Sequence, residues 1–76
     1  MESFIISATL GNEPVQILVV PEDCIEHSLF HLVVNNTEII KILYTDTRRW
    51  EIIEGTSVKA EELTFITQQI ERQFHL

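Results

Sequence analysis

Residues 3–10, SFIISATL, put Phe4, Ile6, Ala8 and Leu10 on one side and Ser3, Ile5, Ser7 and Thr9 on the other, and Gly11 and Asn12 follow at once. This is the two-residue period of a β-strand, and glycine in the first central place of a two-residue loop predicts a type II′ hairpin turn. So short a loop leaves the next strand little choice of register. It predicts Ala8 beside Val15, Ile6 beside Ile17 and Phe4 beside Val19, with the apolar sets of both strands on one face.

The second strand is expected over residues 15–20, ending at Pro21, which cannot donate to a ladder. A third strand over residues 29–34 and a fourth over residues 38–45 are joined at Asn35 and Asn36, a residue type that tolerates left-handed turn conformations. A loop of residues 35–37 would set Phe30 opposite Ile42 and Leu32 opposite Ile40. Thr45, Asp46 and Thr47 then form a turn, residues 50–53 a short fifth strand, and Gly55 a stop. Beyond Gly55 the period changes to 3.6. Leu63, Ile66, Ile70 and Phe74 form one apolar stripe on a helix over residues 60–75, with Glu61 and Glu62 at the dipole's positive end and Arg72 and His75 at the other.

The expected fold is therefore a single α+β domain over residues 1–76, an antiparallel meander of five strands with one C-terminal helix packed on one face. In that outline, and in the run WEIIEGTSVKAEELTFITQQIERQF of residues 50–74, the chain resembles short uncharacterised bacterial proteins of the meander-plus-helix kind. The resemblance implies the fold and brings with it no activity, cofactor or functional residue.

Charge and length exclude several functions. At 76 residues there is room for one modest core, and a net charge of -7 argues against binding a phosphate backbone or an anionic lipid surface. No apolar run approaches the ~20 residues of a membrane-spanning helix. The N-terminus lacks the basic and apolar regions of a signal peptide, and the single cysteine, Cys24, cannot form an intrachain disulfide, so the expectation is a cytoplasmic protein.

Chemistry is sparse. No glycine-rich phosphate loop, nucleophile elbow, HExxH or CxxC is present, so the reading is non-enzymatic and without cofactor. Cys24, His27 and His31 are of metal-ligating type, and the first two could pair as nucleophile and base. A strand at His31 would turn it away from the other two, and the acidic loop around Cys24 would raise the thiol pKa. Arg48 and Arg49 before Trp50 offer guanidinium forks beside an aromatic plane, a second candidate that would bind a small anion in a pocket near Trp50 and Arg49. The structural alternative sends Trp50 into the core and leaves both arginines in a solvated turn.

The sheet's second face carries the main functional expectation. The helix is expected to cover Phe4, Ile6, Val15, Ile17, Val19, Phe30, Leu32, Ile40, Ile42, Trp50 and Ile52. The opposite face then presents Ile5, Leu18, Val20, Leu29, Val33, Ile39 and Leu43, interrupted by Ser7, Gln16, His31 and Lys41, while Phe65 falls on the polar side of the helix. If contiguous, this group would approach or exceed the ~400 Å² at which an aliphatic patch points to a partner; the alternative is a sheet curled into a half-barrel that buries part of this face against itself. The expectation is a protein-interaction module, a homodimer or a subunit receiving another protein on the free face or edge of the sheet.

Overall fold

The computed structural model describes residues 2–23, 27–55 and 58–74. It contains β1 (Phe4–Leu10), β2 (Glu13–Asp23), β3 (Ser28–Val34), β4 (Thr37–Tyr44), β5 (Trp50–Glu54) and α1 (Ala60–Phe74), with the strands in the order β1-β2-β3-β4-β5 and every neighbouring pair antiparallel. This is the α+β meander with one C-terminal helix expected above. His75, at the expected end of the helix, lies outside the described residues.

The first hairpin has the expected register, Phe4 opposite Val19, Ile6 opposite Ile17 and Ala8 opposite Val15. Its turn is type I′ rather than II′. Gly11 and Asn12 both have positive φ, 58° and 67°, and asparagine tolerates that conformation. β2 also runs past Pro21, which pairs with Phe30. β1 begins only at Phe4, opposite Val19, so by Pro21 the β1 side of β2 is an open edge, where a missing donor breaks no ladder bond.

The second hairpin reaches the expected pairs by an unexpected route. Its loop is the two residues Asn35 and Asn36, both with positive φ, closed by Val34 opposite Thr37. A loop of that length alone would displace Phe30 from Ile42. A register shift between Leu32 and Val33 absorbs the difference, setting Glu38 opposite Val33 and leaving Ile39 as the extra residue of a bulge. Phe30 thus faces Ile42 and Leu32 faces Ile40 after all. Ile39 is turned out of the free-face set and packs against the core.

The last turn closes through Thr45 and Arg49, with Asp46 and Thr47 in its middle and Arg48 at φ 63°, a type I turn followed by a left-handed residue. A second shift, at Lys41 and Ile42, sets Ile42 opposite Ile52 and Lys41 opposite Glu54.

The core consists of Ile6, Ala8, Ile17, Val19, Phe30, Leu32, Ile40 and Ile42 from the sheet, with Ile66 and Ile70 from the helix. Phe4, Val15, Trp50, Leu63 and Phe74 pack around it. The helix lies along β1 in the reverse direction. Glu62 accepts hydrogen bonds from the Lys59 N–H (2.9 Å) at the helix start and from the Gly11 N–H (2.8 Å) at the first turn. The same two N–H groups, Lys59 first, hold its carboxyl below the usual range. Further along, Gln69 donates to the Ser7 carbonyl (3.0 Å), and the last turn sets Phe74 against Phe4 and Phe30.

Ile52 departs from the expected core. It stands opposite buried Ile42 yet is 51% exposed. The helix contacts β1 far more than β5, which it reaches at Trp50, so no described element covers the remainder of this edge strand. Pairing assigns a face to a residue, but only an overlying layer buries it.

Candidate functional site

The pairings map the helix-free face row by row. An aliphatic row crosses the first three strands, Ile5 opposite Leu18 and Leu18 opposite Val33, and ends at Glu38 on β4. Ile5 is 62% exposed and Leu18 37%. A shallow depression of about 340 Å³ opens here, between Ile5, Leu18, Val33, Gln16 and the Asn35–Asn36 turn.

To one side the rows are charged. Val20, His31, Lys41 and Glu54 form the next, then Glu22, Leu29, Leu43 and Glu51. To the other side they are polar and uncharged, Ser7 opposite Gln16 and then Thr9 opposite Pro14. The expected patch is thus divided. Val20, Leu29, Val33 and Leu43 are half-buried among their neighbours, and the exposed aliphatic surface is concentrated at Ile5 and Leu18.

His31 lies at the centre of the charged side, diagonal to two carboxylates. Its Nε2 is 3.0 Å from Glu22 Oε2, and its Nδ1 faces Glu38 Oε1. Hydrogen bonding to Glu22, then to Glu38, raises the imidazole pKa above its ordinary 6.5, with partial burial opposing. Lys41 approaches Glu54 at 3.9 Å. Neither carboxylate partner of His31 was legible beforehand. A strand ending at Pro21 leaves Glu22 outside the sheet, whereas β2 extends to Asp23, and Glu38 comes into reach only through the bulge at Ile39.

This clamp has a testable pH dependence. The folded pKa of His31 lies above the unfolded value of about 6.5, so the clamp's contribution is complete below that pH and is lost as pH rises through the folded value. Thermal melts from about pH 6 to about pH 9 should show a falling Tm that is steeper for wild type than for His31→Gln; parallel slopes would show that the clamp contributes nothing.

His31 has both ring nitrogens engaged, His27 is exposed before β3, and Cys24 lies outside the described residues. Among the described residues no group of three or more His, Cys, Asp or Glu side chains is arranged to hold a metal. Arg48 and Arg49 are exposed in the turn, whereas Trp50 packs on Phe30 and Tyr44 and donates its indole N–H to Glu71 (2.9 Å). The indole N–H is thus already engaged by a carboxylate, which would repel an anion at that point. Phe65 is 50% exposed and borders a groove with Ser7, Thr9, Pro14 and Gln16 on the β1–β2 hairpin.

No helix among the described residues is long and apolar enough to cross a membrane. Comparison with protein-family models, curated proteins and solved structures finds no match to this chain.

Proposed function

We propose that this chain is a non-catalytic protein-interaction module that self-associates through the helix-free face of its sheet. The observation that carries this reading is the row Ile5–Leu18–Val33, three aliphatic residues paired across neighbouring strands on a face that no other described element covers. A single helix buries one side of the sheet, and a chain of 76 residues gains from covering the other. The outer edge of β1 is already engaged by the helix through Gln69 and Glu62, which favours the face over that edge.

Sedimentation equilibrium over a hundredfold concentration range should show a monomer passing to a dimer near micromolar concentration. Leu18→Glu should shift that equilibrium towards monomer by at least about tenfold, since it buries a carboxylate in the contact. Its thermal melt at dilute concentration should remain close to wild type, because Leu18 is outside the helix-covered core. A wild-type monomer at every concentration would refute the self-association. An early melt of Leu18→Glu would show instead that this side chain supports the fold itself.

A further inference from the structure

A copy of the chain that covers Val33 on the free face also meets the His31 clamp. Glu38 ends the aliphatic row, opposite Val33. His31 precedes Val33 by two residues on β3, which puts ring and valine on the same side of the sheet. Glu22 reaches that ring from β2. Closing a second copy over the row therefore takes water away from the clamp as well.

The clamp fits together only with a proton bound. Glu22 faces Nε2 at 3.0 Å and Glu38 faces Nδ1, so each ring nitrogen meets a carboxylate, which accepts hydrogen bonds and donates none. An imidazolium has two N–H donors and satisfies both. A neutral ring has one, and its other nitrogen then sets a lone pair against a carboxylate oxygen. In a single protomer all three side chains are partly exposed, so water can come between them. Under a second copy that relief is withdrawn, and an unmatched polar group in a dry contact is costly.

The remaining charges near the ring do not replace that proton. Lys41 on β4 is the residue opposite His31, but its ammonium is drawn to Glu54 on β5, 3.9 Å away. Glu51, also on β5, stands at the far end of the Glu22 row and adds negative charge. β1 carries no charged residue, and α1 packs on the other side of the sheet. Granted that the free face self-associates, on which this inference rests, we propose that the His31 clamp gates the association by proton binding: with its proton the face closes on a second copy, and without it the dimer loosens.

Because the clamp binds its proton more tightly in the dimer, association takes up protons, and the dimer weakens as pH rises through the His31 titration. A dimer carries two clamps. With each proton held roughly three- to tenfold more tightly after association, the dissociation constant should rise roughly ten- to a hundredfold between about pH 6 and about pH 9. Sedimentation equilibrium at constant ionic strength reads this change. Glu38→Gln should flatten it and keep the dimer at about pH 9, since the amide can donate to the ring nitrogen that a neutral imidazole leaves bare. His27→Gln removes an exposed histidine away from the clamp and should leave the dependence in place.

Nuclear magnetic resonance titration of the His31 ring in the wild-type chain, below and above the dissociation constant, needs no variant. A higher pKa in the associated protein supports the gate. An equal or lower one, or a pH dependence that Glu38→Gln leaves unchanged, overturns the gate and leaves the self-association intact; a wild-type monomer at every pH and concentration overturns both.

Discussion

Replacing Trp50 by alanine should lower the unfolding free energy by about 3–5 kcal/mol, the range for removing a large aromatic side chain from a core. Trp50 is half-buried, but its contacts join three elements. The ring lies 5.5 Å from Phe30 and 4.7 Å from Tyr44, and its N–H reaches Glu71 on the helix. Phe30 in turn touches Phe74, so the aromatic cluster links the edge strand to the last helical turn. Trp50→Phe keeps most of the ring and loses the bond to Glu71, at a cost of about 1 kcal/mol. Arg48→Ala and Arg49→Ala, in the solvated turn, should each cost well under 1 kcal/mol. Urea unfolding followed by far-ultraviolet circular dichroism measures all four. A near-neutral Trp50→Ala would show that the indole is a surface group and the cluster inessential.

Gly55→Ala should be comparably damaging for a different reason, losing about 3 kcal/mol or more. Gly55 follows β5 with φ at 102°, a conformation L side chains rarely adopt. A Cβ there would lie 2.4 Å from the Ile39 carbonyl oxygen and 2.8 Å from the Ile40 Cα. Both obstacles are backbone, at the bulge that fixes the β3–β4 register, and cannot turn aside as a side chain would. Gly11 provides the comparison. Its φ is also positive, at 58°, but nothing lies within 4 Å of the added carbon. Gly11→Ala should therefore cost only the conformational term, about 1–2 kcal/mol. Equal losses at the two positions would mean that the close approach at Ile39 relaxes without cost.

The two glycines also mark what was legible in the residues alone. Gly11 and Asn12 define a two-residue turn between alternating strands, and every expected pair of that hairpin is present because a shift by one would have turned its whole apolar set outward. The β3–β4 hairpin had the same alternation, yet a bulge leaves no mark in a pattern of apolar residues when the extra residue, Ile39, is itself apolar. Its consequence reaches the surface: Ile39 joins the core, and Glu38 takes its place opposite Val33, beside His31. Alternation places Ile52 on the correct side of the sheet but not in its correct environment, because periodicity reports the side and the path of the helix decides the burial. The exposed row of Ile5 and Leu18 followed from alternation. The separation of charged and uncharged halves around it required the register of all five strands.

Methyl resonances recorded from about a tenfold excess to about a tenfold deficit of protein relative to the dissociation constant test the face directly. Self-association through the sheet predicts concentration-dependent shifts at Ile5, Leu18 and Val33 and none at Ile66 and Ile70, which face the core from the helix on the other side of the sheet. Spectra that do not change with concentration, or changes confined to Ile52 and Ile53 on the outer strand, would contradict it.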